Sequence, residues 1–159
     1  QDFSSIFEQC QTRITDPFYE FPQSNPLAKS KQTLSPSDFG FHNALRTSDG
    51  ALVWLDFEYF GLDDPVKLVI DFILHPGMKI NLQLKKKWLK TNLSIFANDK
   101  YFKKRLFFLI PFFAIRWALI VLNDFKIKQS SNSQRNKQIE KSIFFCHLVN
   151  SRAYEKWID

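Results

Sequence analysis

Two carboxylates and an amide stand at a spacing suited to phosphate chemistry. The run Ser35-Pro36-Ser37-Asp38-Phe39-Gly40-Phe41-His42-Asn43 puts an Asp five positions before an Asn, and Asp56 closes the apolar run 51–55 ahead of Phe57. Transfer of a phosphoryl group to a hydroxyl needs one group beside the acceptor to orient it and take its proton. It also needs separate oxygen ligands to hold Mg2+ against the phosphates. Asp38 suits the first task. Asn43 and Asp56 suit the second, because Mg2+ favours hard oxygen donors and commonly takes one or two carboxylates with phosphate and water. Glu58 stands close enough in sequence to reach an acceptor molecule.

A hairpin would bring these side chains together. Ala44-Leu45-Arg46 and Ala51-Leu52-Val53-Trp54-Leu55 are strand-like and flank Thr47-Ser48-Asp49-Gly50. Asp-Gly between such runs is a strong hairpin signal, because Gly accepts the positive φ of a tight turn. Asn43 and Asp56 then sit at the two ends of one hairpin, folded back toward each other. Upstream, Phe3, Ile6, Phe7 and Cys10 predict a helix over 3–14. The stretch from Asp16 to Ser37, with Pro17, Pro22, Pro26 and Pro36, reads as an irregular connection.

Downstream, Asp64-Pro65 reads as an N-cap followed by Pro at the first helical position, opening a helix through about Leu74. Further helices are expected over about 81–96, 100–125 and 134–156, with the polar stretch 128–138 as a surface loop. Lys85, Lys86, Lys87 and Lys90 are expected to be exposed, and Lys103-Lys104-Arg105 to form a solvated helix face. His42, His75 and His147 show no ligand spacing. The apolar stretch 106–122 approaches the roughly 20 residues a bilayer needs. Pro111 and Arg116 within it fit a buried core helix, kinked at Pro111, better than a membrane span. Arg116 in that setting either pairs with a carboxylate or lines a cleft, and buried pairing is the expectation.

Composition bounds the rest. At 159 residues with 45% hydrophobic content, the chain can bury a core and is expected to form one domain. Phe supplies 18 residues and Gly only 4, which favours packed helices over a loop-rich chain. The formal charge of +6 favours an anionic partner without choosing among nucleotide, nucleic acid and membrane surface. Cys10 and Cys146 lack the spacing of a disulfide framework or a zinc site, and the expected location is a reducing cytoplasm.

The ordered set Asp38, Asn43, hairpin, Asp56, Asp64-Pro65, with Glu58-Tyr59, resembles the aminoglycoside phosphotransferase and choline kinase family over about residues 33–77. The resemblance implies an α+β, predominantly helical fold: the C-terminal lobe of a protein-kinase-like enzyme, with a small hairpin at the active-site edge. It implies ATP-dependent transfer of phosphate to a hydroxyl of a small molecule such as an aminoglycoside, choline or a sugar. Asp38 would be the catalytic residue, and Asn43 and Asp56 would hold Mg2+ and, through it, ATP.

Three departures stand out. Pro36 occupies the place where the family usually has His, so the catalytic loop must be braced differently. Leu68 stands where the family often has another Asp, leaving Asp71 as a possible structural anchor. A Gly-rich phosphate loop with its strand Lys and helical Glu is missing, so residues 1–159 read as a fragment that lacks the nucleotide-binding N-terminal lobe and works weakly alone. A catalytically silent kinase-like binding module is the alternative reading, and a basic nucleic-acid-binding domain a weaker one, since no recognisable module or interleaved aromatics support it.

Overall fold

Asp64 starts a helix in two ways at once. Its side chain accepts from the N–H of Val66 at 2.9 Å, and Pro65 supplies a preset φ where a backbone donor would have no partner. The computed structural model in which this is seen describes residues 2–15, 26–126 and 131–157. It is α+β and mostly helical, with five α-helices and two small antiparallel sheets among the described residues. Two compact units arise, one from residues 23–106 and one from residues 1–22 with 107–159.

In the first unit, the expected hairpin forms from β2 (Ala44–Arg46) and β3 (Leu52–Trp54), in the register Ala44↔Trp54, Leu45↔Val53 and Arg46↔Leu52. Gly50 takes φ 90° in its turn. A second ribbon pairs β1 (Thr33–Ser35) with β4 (Gly61–Asp63), a pairing the irregular reading of 16–37 did not anticipate. Residues 16–25 of that stretch lie outside the described residues. Both ribbons carry exposed apolar side chains, among them Leu34, Leu62, Leu45 and Val53.

The helices α2 (Pro65–Leu74) and α3 (Leu82–Ile95) supply the core of this unit through Val66, Val69, Ile70, Phe72 and Leu89. Each such side chain stabilises by about 1.5–3 kcal/mol when fully buried. The Trp88 indole N–H donates to the Val69 carbonyl at 3.2 Å and ties the two helices together. Lys87 and Lys90 are exposed as expected, whereas Lys85 and Lys86 are half-buried. Burial pulls the Lys85 ammonium below its ordinary range.

Arg105 overturns the expectation of a solvated Lys103-Lys104-Arg105 face. It lies in the first turn of α4 (Phe102–Val121) with 1% of its side chain exposed, while Lys103 and Lys104 are exposed. Its Nε and Nη2 reach the Asp64 carboxylate at 2.8 and 3.1 Å, and Nη2 also reaches Asp99 at 2.8 Å. A helix presents different faces to solvent and core one residue apart, so a run of like charges need not share one environment.

The second unit contains α1 (Phe3–Ile14), the rest of α4, and α5 (Asn132–Ser151). The Cys10 thiol, on α1, lies 3.2 Å from the Cys146 carbonyl and 3.3 Å from Asn150 Oδ1, on α5. Both thiols are free and buried, and burial, with Cys10 beside it, pushes Cys146 up to about 12. Pro111 sits buried inside α4. The Arg116 guanidinium lies over the rings of Phe113 and Trp117, 4.5 and 5.2 Å from their centres, a contact with π-faces that the carboxylate reading had not included. No helix among the described residues is long and apolar enough to cross a membrane.

The last helix, expected from about 134, begins at Asn132, so the expected surface loop over 128–138 is helical from that residue on, residues 127–130 lying outside the described set. Ser131 and Gln134 form a capping box: the Ser131 hydroxyl accepts from the Gln134 N–H at 3.2 Å, and Gln134 Oε1 accepts from the Ser131 N–H at 2.8 Å. Polar residues that read as a loop thus begin a helix by satisfying its first donors. The helix ends at Ser151, and Arg152 adopts φ 54° as a left-handed cap before a 3-10 turn over Ala153–Trp157.

Two outcomes follow from these contacts. Ser131→Ala should cost about 1 kcal/mol, read from urea unfolding, with the loss centred on α5 in amide exchange. Arg105→Ala should cost about 3 kcal/mol, because it empties a buried site and leaves the half-buried Asp64 and Asp99 carboxylates without their shared cation. It should also change the acid limb of stability. Burial raises the Asp99 carboxyl, but the Arg105 hydrogen bond, the Tyr101 N–H and the Arg105 charge together bring it below its ordinary value. A carboxyl held low adds stability that is present above its unfolded value, about 3.9, and is lost as pH falls through the folded one. The substitution should flatten that acid-side loss in unfolding curves measured below about pH 5.

Candidate active site around Asp38

Phe39 anchors the site. Its ring lies 4.5 Å from Trp54 of β3, 5.8 Å from Phe72 of α2 and 6.1 Å from Trp88 of α3, centre to centre. Phe41 adds a T-shaped contact to Phe72 at 5.4 Å, and Phe72 stacks on Trp88 at 4.3 Å. The loop that carries Asp38 is therefore packed by its own aromatic neighbours against the hairpin and both helices.

Immediately before Asp38 the backbone is forced. The Asp38 N–H donates to the Pro36 carbonyl at 2.8 Å across Ser37, whose φ is 66°. This three-residue turn with a left-handed centre is rare and strained. Side chains hold it: the Lys67 ammonium donates to Ser37 Oγ at 2.9 Å, and Ser37 Oγ donates to the Tyr59 carbonyl at 3.1 Å. Lys67 also pairs with Asp63 at 3.4 Å and with Asp71 at 3.5 Å. Asp71 is 1% exposed, so a buried carboxylate stands behind the lysine that braces the loop.

Asn43 closes the loop from the other side. Its Nδ2 donates to the Asp38 carbonyl oxygen at 3.0 Å and lies 3.3 Å from Asp38 Oδ2. The Asn43 carbonyl in turn accepts from the Leu55 N–H at 2.8 Å, so the backbone at Asp56 begins one residue from that bond. Asp56 has φ 61°, a second non-glycine residue in the left-handed region beside the site. Asp56 and Glu58 are exposed, and neither forms a hydrogen bond or ion pair among the described residues. The hairpin thus brings Asn43 onto Asp38 and Asp56 beside Asn43, and leaves Glu58 in solvent.

This donor set suits Mg2+. Asn43 commits its N–H to Asp38, which leaves its amide oxygen for a cation, and Asp56 supplies a solvated carboxylate.

Two residues set aside on spacing belong to the site. His42 Nε2 lies 3.2 Å and His75 Nε2 3.1 Å from the same oxygen, Asp38 Oδ1. Their rings stack at 3.7 Å with planes 5° apart. His75 closes α2 before Pro76, far from Asp38 in sequence; only its polarity at the end of an apolar helix marked it. A cavity of about 670 Å3 lies elsewhere, in the second unit, lined by residues that include Arg13, Asn150, Arg152 and Tyr154.

Comparison of this chain with protein-family models, with curated proteins and with solved structures finds no match.

Gly40 tests the packing here. A Cβ at that position would meet Met78 Sδ and Cε at 2.6 Å and His42 Nδ1 at 2.7 Å, although its backbone is extended. Met78 Sδ also accepts from the Phe41 N–H at 3.1 Å. Gly40→Ala should therefore cost about 1–3 kcal/mol in thermal unfolding and shift the His42 ring resonances. Adding Met78→Ala should recover part of the stability without restoring His42.

Proposed function

We propose that this chain supplies the catalytic half of an ATP-dependent phosphotransferase, a protein-kinase-like lobe that moves phosphate to a hydroxyl of a small molecule. The observation that carries the reading is the closed Asp38–Asn43 loop, with the Asn43 amide on the Asp38 carbonyl and the Leu55 N–H on the Asn43 carbonyl. Asp38 orients the acceptor hydroxyl and takes its proton. Asn43 and Asp56 would hold Mg2+, which when bound offsets the charge of the phosphates.

The remaining residues act by position. Lys67 and Ser37 supply the bracing that Pro36 cannot, since proline lacks both the side-chain donor and the backbone N–H. The strained turn at Ser37 and the left-handed Asp56 are the kind of backbone that folds retain at working sites. Glu58, exposed next to Asp56, is the residue placed to meet the acceptor.

The test is phosphate transfer from ATP by the full-length gene product to a panel of amino-alcohols, sugars and aminoglycosides. Asp38→Ala should lower kcat by about 10²–10⁴-fold. Asp56→Ala should abolish binding of Mn2+, used as a paramagnetic stand-in for Mg2+, in the presence of ATP. Transfer unchanged by both substitutions would sink the site, and absence of ATP binding would replace it with a silent binding module.

A further inference from the structure

The geometry points to His42 and His75 as positioning residues that clamp Asp38 Oδ1 with two Nε2–H donors, leaving Oδ2 as the oxygen that meets the acceptor hydroxyl. This rests on the phosphotransferase reading of Asp38, and it assigns the two carboxylate oxygens different tasks.

The tautomer of His75 follows from its other nitrogen. The Gly77 N–H donates to His75 Nδ1 at 3.1 Å, so Nδ1 is an acceptor and a neutral ring carries its proton on Nε2. That proton lies toward Asp38 Oδ1, 3.1 Å away. His42 Nε2 meets the same oxygen at 3.2 Å, and one carboxylate oxygen has two lone pairs to receive both. Among the described residues, Asp38 Oδ2 meets only the long 3.3 Å approach of Asn43, whose shorter bond goes to the Asp38 carbonyl. In the transfer step the hydroxyl oxygen bonds to the γ-phosphorus, ADP leaves with the bridging oxygen, and the hydroxyl proton passes to Oδ2.

A metal ion is the rival occupant, since the ligating atoms of Asp38, His42 and His75 lie within 4.8 Å of one another. One feature opposes it. A histidine ligand usually donates an N–H from its other nitrogen, whereas His75 Nδ1 receives one, which leaves Nε2 of the neutral ring protonated and without a lone pair for a metal.

Nitrogen-15 side-chain spectra of the full-length protein at about pH 8, above the ordinary imidazole value near 6.5, test the clamp directly. His75 should appear as the Nε2–H tautomer, and Asp38→Ala should shift its Nε2 resonance. The Nδ1–H tautomer, or stoichiometric Zn2+ binding lost in His42→Ala, would overturn the proposal. In transfer assays His75→Phe keeps the ring stack and removes the donor; it should lower kcat about 10–100-fold with KM for ATP unchanged, a loss expected from a misplaced reacting group. His75→Gln should regain most of that loss. Wild-type kcat in His75→Phe would remove the clamp while leaving the phosphotransferase reading intact, whereas activity retained by Asp38→Ala would remove that reading and leave the spectra to judge the clamp alone.

Discussion

Packing of Phe39 is the constraint on which the site depends. A short loop with a strained turn cannot hold a carboxylate still by its own hydrogen bonds, because each costs backbone freedom it must recover elsewhere. Phe39 and Phe41 flank Gly40 and reach Trp54 and Phe72. The side chains that pack the loop against its neighbours are therefore next in sequence to Asp38 itself. Aromatic pairs of this kind add about 0.5–1.5 kcal/mol beyond the area they bury, and here they join four segments.

Electrostatics supply a second fixed point. Asp64 caps α2 while accepting from Arg105, so the start of that helix and the start of α4 share one carboxylate. The far end of α2 carries His75, and its middle carries Lys67 and Asp71. One ten-residue helix thus supports the loop at three heights, and its own register is set by the Asp64–Pro65 start.

The parts legible in sequence were those with local causes. Asp-Gly specifies a turn within four residues, and Asp64-Pro65 specifies a helix start within two, so the hairpin and α2 stand where expected. Pairing of β1 with β4 was not legible, because three-residue strands offer too few alternations to reveal a period. Arg105 looked solvated since its partners, Asp64 and Asp99, are found only by tertiary contact. His75 was set aside for the same reason, its partner Asp38 being found only by tertiary contact. The polar run at the start of α5 was legible in part, since a helix was expected from about 134 and the capping box starts it at Asn132.

The two ribbons have a colloidal consequence. Each presents an apolar cross-strand pair to water, Leu34 with Leu62 and Leu45 with Val53, and each consists of only two strands, so among the described residues no further strand pairs with their outer edges. Exposed apolar strands with open edges are templates for pairing with another chain. The elements that assemble Asp38, Asn43 and Asp56 therefore also carry the surface through which copies of this protein would stick when concentrated.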